Sequence, residues 1–147
     1  MKILVINGPN LGLLGVREPA IYGRTTLKDI ETRLLAAAAE SAAELEFLQS
    51  NHEGDIVDRI DAILTGQPVD GIVINPGAYT HTSIAIADAL RAAGVPAVEV
   101  HISHVAAREE YRRHSMTAPA CVAVIAGFGA DGYEYALRHL LRHPARS

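Results

Sequence analysis

Glu99 and His101 stand two residues apart in the stretch Pro96-Ala-Val-Glu-Val-His101. On an extended strand that spacing turns both side chains to the same side. A carboxylate that orients an imidazole is a general acid/base device, which favours a chemical role for His101. Other polar segments follow short apolar runs in the same way: Asn7-Gly-Pro-Asn10, Ser50-Asn-His-Glu-Gly54, Asn75-Pro-Gly-Ala-Tyr-Thr-His81 and His101-Ile-Ser-His104. Asn, Gly and Pro also make ordinary turns, so Asn10 and Asn75 fit turn-forming and ligand-binding equally. His52 reads as structural in its loop, and His81 either caps a helix or binds. His104, His114, His139 and His143 have no evident partner and read as surface. Arg108, Arg112 and Arg113 form a solvated face with Glu109 and Glu110, or else Arg108 and Arg112, four apart, reach one anion together.

The elements that must position these groups alternate along the chain. Strands are expected at Lys2 to Ile6, Leu45 to Gln49, Gly71 to Ile74, Ala97 to Val100 and Cys121 to Ala126. Helices are expected at Leu27 to Ala43, Ile56 to Leu64, Ser83 to Ala93, Arg108 to His114 and Gly132 to Arg142. Gly94 with Pro96, and Gly66 with Pro68, are helix stop signals. Strictly alternating strands and helices predict an α/β domain: a five-stranded parallel sheet, doubly wound and flavodoxin-like, with helices on both faces. The site then lies beyond the carboxyl ends of the strands, where the polar segments fall. The 147 residues make one domain, 1–147. Residues 7–25 are longer than a connection needs and read as an active-site lid. It is hinged by glycines, packs through Leu11, Leu13, Leu14 and Ile21, and carries Arg17, Tyr22 and Arg24. The tail Arg142 to Ser147 reads as frayed.

Several functions are excluded. A net charge of −4 gives no broad nucleic-acid footprint. No apolar stretch of about 20 residues exists to span a membrane. The chain opens on a strand-like run instead of a signal core, so a cytoplasmic protein is expected. No HExxH or comparable spacing suggests a metal. Gly8 to Gly15 lacks the Lys-Ser/Thr ending of a phosphate-binding loop. Gly127-Phe-Gly-Ala-Asp-Gly132 matches a dinucleotide-binding fingerprint, yet no strand and ribose-binding acid follow it. Cys121, the one cysteine, reads as a small buried hydrophobe in a strand. Lys2 and Lys28 belong in solvent, which argues against an imine-forming lysine. Another small-molecule lyase or hydrolase, and a flavodoxin-like binding module, remain as alternatives.

Four segments in order carry a resemblance: Asn7-Gly-Pro-Asn-Leu with Leu13-Leu-Gly-Val-Arg-Glu-Pro and Tyr22-Gly, then Gln49-Ser-Asn-His-Glu-Gly, Asn75-Pro-Gly-Ala-Tyr-Thr-His-Thr-Ser and Glu99-Val-His-Ile-Ser. Over nearly its whole length the chain resembles the type II 3-dehydroquinate dehydratases. The resemblance implies trans elimination of water from 3-dehydroquinate through an enolate, giving 3-dehydroshikimate in the shikimate pathway to chorismate and aromatic amino acids. It implies no metal and no cofactor. Tyr22, as tyrosinate, would be the base, Arg17 would stabilise it, and His101 would protonate the departing hydroxyl. Asn10 and Glu99 would position that acid and a water. Asn75, His81, Asp88 and Arg112 would bind the ring, and the N–H groups of Ile102 and Ser103 its carboxylate. The assembly implied is a dodecamer of trimers, with Asp88 serving a neighbouring subunit's site. The chain departs from the family's usual residues at Gly12, His104 and Ala106.

The implied base sets a physical condition. Half-ionising a free phenol at neutrality takes about 4 kcal/mol. A guanidinium about 4 Å away supplies roughly that at an effective dielectric near 20, but only about 1 kcal/mol in water. The lid must therefore close and exclude water, with Arg108 or Arg24 as further sources of charge.

Overall fold

The computed structural model describes residues 1–143. Five strands, β1 (Lys2–Asn7), β2 (Glu44–Gln49), β3 (Gly71–Asn75), β4 (Ala97–His101) and β5 (Ala123–Ala126), form one sheet in the order β2-β1-β3-β4-β5. Every pairing is parallel. Alternate residues of β1 face opposite ways, which is why both faces need cover. Ile3 and Val5 pack with Ile30 and Leu34 of α2 (Leu27–Ala39) and with Tyr133 and Leu137 of α5 (Asp131–Arg142). Leu4 and Ile6 pack with Ile56 and Ile60 of α3 (Glu53–Asp61) and with Ile86 and Leu90 of α4 (Ile84–Ala93). This is the expected flavodoxin-like α/β architecture.

Residues 7–25, read above as a lid, have their own structure. Leu11–Leu13 forms a 3-10 turn and Pro19–Tyr22 a single helical turn, α1. Leu11 and Leu14 are buried and anchor it, whereas Leu13 and Ile21 are exposed. The lid's base lies hard against the loop after β3. A Cβ on Gly8 would stand 2.3 Å from the Pro76 carbonyl oxygen, so only glycine permits that approach.

Three expected boundaries are corrected. The helix expected over Arg108 to His114 is two 3-10 turns, Val105–Ala107 and Glu110–Arg112, separated by an extended Arg108. The strand expected from Cys121 starts at Ala123, because a 3-10 turn at Ala118–Ala120 precedes it and Cys121 closes that turn. Cys121 is accordingly half-buried at a strand entrance. α2 stops at Ala39, since the chain turns through Ala42 in the left-handed region to enter β2. The expected frayed tail starts at Arg142, which instead ends α5; residues 144–147 lie outside the described residues.

Candidate active site

One cleft opens beyond the carboxyl ends of β1, β3 and β4. Asn10, Leu14, Arg17 and Tyr22 line it from residues 7–25, Asn75 from the end of β3, and His81 from the loop after it. His101, Ile102 and Ser103 contribute from the end of β4, and Arg108 and Arg112 from the 3-10 segment. Of the residues to which the resemblance gives a role, two do not line it, and neither does Arg24. Glu99 lies behind His101 at 0 % exposure. Asp88 projects from α4 into solvent, paired with Arg91 at 3.1 Å.

At the end of β4, His101 Nε2 donates to Glu99 Oε1 at 2.7 Å. Ser115 Oγ donates to the same oxygen at 2.9 Å, and Thr117 Oγ1 donates to Oε2. Burial alone would raise the Glu99 carboxyl. The hydrogen bonds from His101, Thr117 and Ser115, with the charge on His101, outweigh burial and hold it below the usual carboxylate range. The carboxylate fixes the proton on Nε2. A proton delivered by this ring therefore leaves from Nδ1, with the ring charged beforehand.

The lid side is built differently. Tyr22 is half-buried, and Arg108 Nη1 donates to its hydroxyl at 2.8 Å. The Arg108 guanidinium also lies 5.4 Å from the Tyr22 ring centre, and that of Arg17 lies 5.7 Å away. Arg17 is 39 % exposed and ion-paired with its neighbour Glu18 at 3.1 Å. The cation in contact with the phenol is therefore Arg108, with Arg17 alongside. The break in the expected helix accounts for this: an extended Arg108 reaches Tyr22, while Arg112, bound to Glu109 at 2.9 Å, still faces the cleft.

The remaining walls fix donors and acceptors. His81 Nδ1 donates to the His114 carbonyl at 2.7 Å, which fixes the ring and leaves Nε2 as its second polar atom. The N–H groups of Ile102 and Ser103 find no acceptor among the described residues, so both are free to hold an anion. Asn10 takes a left-handed backbone, and its N–H donates to the Asn51 side chain at 3.0 Å. Asn75 is held from both ends, its Nδ2 donating to Tyr133 Oη at 2.9 Å and its Oδ1 accepting the Gly77 N–H at 3.1 Å. Tyr133 Oη in turn donates to Asn7 Oδ1 at 2.6 Å. Sequence reasoning missed Asn7, Tyr133, Ser115 and Thr117. Tyr133 alone offered a signal, as a tyrosine on a buried helix face whose hydroxyl needs a partner.

The class II dehydroquinase family model matches residues 1–141. The chain belongs to that family. The 3-dehydroquinate dehydratase of Carboxydothermus hydrogenoformans is 53% identical over 146 residues, covering 99% of this chain and 94% of its own. The catabolic 3-dehydroquinase of Pyricularia oryzae is 54% identical over 140 residues, covering 95% of this chain and 89% of its own. The crystal structure of the type II dehydroquinase from Butyrivibrio crossotus superposes with a TM-score of 0.92 at 48% identity, covering 95% of this chain and 97% of that one. Among the described residues no cluster of three or more His, Cys, Asp or Glu is arranged to hold a metal ion. No described helix is long and apolar enough to cross a membrane.

Proposed function

We propose that this chain removes water from 3-dehydroquinate by trans elimination through an enolate, with a base on the lid and an acid on the sheet. Membership of the class II dehydroquinases makes it a 3-dehydroquinate dehydratase, a hydro-lyase; the division of labour among its residues is the proposal. Tyr22, ionised beside Arg108 and Arg17, takes the proton from the carbon next to the ketone. Asn75 and a water bound near Asn10 stabilise the enolate oxygen. His101, charged against Glu99, protonates the departing hydroxyl from Nδ1. The free N–H groups of Ile102 and Ser103 hold the ring carboxylate, and His81 and Arg112 bind the ring hydroxyls and the carbonyl side. The observation that carries this reading is the meeting, in one cleft, of a phenol under a guanidinium and an imidazole backed by a buried carboxylate. Neither metal nor cofactor takes part.

Asp88 completes the proposal across an interface. It stands on an exposed face of α4, away from its own cleft, which suits a carboxylate that serves a neighbouring subunit in a dodecamer of trimers. The reaction belongs to the shikimate route in the cytoplasm, and the relatives carry both general and catabolic names.

The test is dehydration of 3-dehydroquinate by the purified protein, followed through the ultraviolet absorbance of the conjugated enone. Turnover that survives chelators is expected, and turnover lost to chelation and restored by zinc would refute the metal-free route. Mixing inactive Asp88→Asn with inactive Tyr22→Phe chains should regain activity, since some hybrid sites hold neither change. A fully active Asp88→Asn monomer would refute the shared site.

A further inference from the structure

The segment His114–Thr117 touches His81 directly and reaches His101 only through Glu99, without lining the cleft. The His114 carbonyl fixes the His81 ring, and the Met116 N–H ties the segment to the Thr80 carbonyl at 2.7 Å. The Ser115 and Thr117 hydroxyls each end on a different oxygen of Glu99. Ser115 Oγ also accepts the Ala118 N–H at 2.9 Å, which sets its own direction. Thr117 is wholly buried, so its hydroxyl has no solvent alternative to the carboxylate.

We propose that Ser115 and Thr117 are positioning residues for the reaction, holding Glu99 as the fixed counter-charge that keeps His101 supplied with its transferable proton. This deepens the reading of His101 as the acid and rests on it. A buried carboxylate with few donors lowers its cost by taking up a proton itself. Two hydroxyls directed at Glu99 remove that option, and neither can transfer a proton to substrate from outside the cleft. The other ionisable groups near the pair do not substitute for them. Cys121 follows the same segment, and burial and Glu99 push its thiol up, so it stays uncharged beside the carboxylate and supplies no counter-charge. Tyr133, from α5, is committed to Asn7 and Asn75. Tyr22, His81, Arg17, Arg108 and Arg112 face His101 across the cleft and leave the carboxylate untouched.

The test compares Thr117→Val, which keeps the shape, with Thr117→Ser, which keeps the hydroxyl, in the full chain with 3-dehydroquinate. For Thr117→Val we expect kcat near neutral pH to fall about tenfold with KM within about twofold, and the alkaline limb of kcat to move down by about one pH unit. Thr117→Ser should restore both. Ser115→Ala should move the limb in the same direction and less far, and carries the test if Thr117→Val does not fold. NMR titration of the His101 ring without substrate should show the same downward movement. His101→Ala at full activity would overturn the acid assignment itself. With His101→Ala inactive, an unmoved limb and ring titration in the Thr117 and Ser115 variants would overturn this inference alone.

Discussion

The two chemical ends of the cleft are made in opposite ways. The β4 end is part of the sheet: Glu99 is wholly buried, His101 nearly so, and Ser115 and Thr117 close the carboxylate from behind. The lid end hangs on a connection between β1 and α2, with Tyr22 half-buried and Arg17 more than a third exposed on Glu18. A proton donor that must keep a charged ring gains from a fixed environment. A proton acceptor whose phenol must ionise gains most when water leaves, and that moment can coincide with substrate entry. On the proposed mechanism the difference teaches that the acid is ready before substrate arrives, whereas the base is finished by closure, with the Arg108 hydrogen bond already in place.

The largest expected effect comes from removing the proposed base. Tyr22→Phe should lower kcat about 10³-fold while still binding a substrate-like ring acid, read by the enone assay and by calorimetry. Near-normal turnover would remove Tyr22 from the chemistry. Next, Arg108→Met should lower kcat/KM by about 10- to 100-fold, the worth of a charge-assisted hydrogen bond already present in the free protein. Arg17→Met should act mainly on kcat, because Arg17 is ion-paired with Glu18 in the free protein and, on the proposed mechanism, turns to the phenol only on closure. Equal effects on both parameters in both variants would erase the distinction between ready and assembled contacts.

A smaller effect separates the sheet from the lid by pH. Arg59 hydrogen-bonds Glu46 on β2, and with Lys2 it overcomes burial and holds that carboxyl at about 2, against an ordinary 4.5. A depressed carboxylate stabilises the fold above its unfolded value and loses that contribution as pH falls through its folded one. Glu99 is depressed in the same direction. Tm should therefore hold steady down to about pH 5 and fall between about 5 and 2, less steeply in Glu46→Gln. A slope unchanged in that variant would contradict the assignment. Smallest is Cys121, whose thiol is pushed up to about 12 by burial and by Glu99. It should stay largely unmodified by iodoacetamide at pH 8 while a free thiol reacts fully. Fast alkylation would mean that the segment behind Glu99 opens.

Much of the fold was legible because parallel strands buried on both faces leave near-continuous apolar runs, such as Ile3 to Ile6 and Gly71 to Ile74. The Glu99–His101 pair was legible because a strand's period of two is local. What escaped was set by distant contacts. The charge pattern at Arg108 to Arg113 suited a helix, yet the chain breaks there and sends Arg108 to a phenol 86 residues away in sequence. Ser115 and Thr117 carry no local mark of the carboxylate they serve. The link from Tyr133 to Asn7 spans 126 residues. Such hydrogen bonds depend on which strand ends the topology brings together, and no spacing along the chain records that.

A crystal structure of the full chain with an unreactive ring carboxylate in the cleft tests the two-part site most directly. It should hold the carboxylate on the Ile102 and Ser103 N–H groups, the Arg108 guanidinium on the Tyr22 hydroxyl in a closed, dry lid, Arg17 turned from Glu18 toward the phenol, and Glu99 and His101 unmoved. A bound ligand with Tyr22 and both arginines apart in open water, or with the Glu99–His101 pair rearranged, would contradict it.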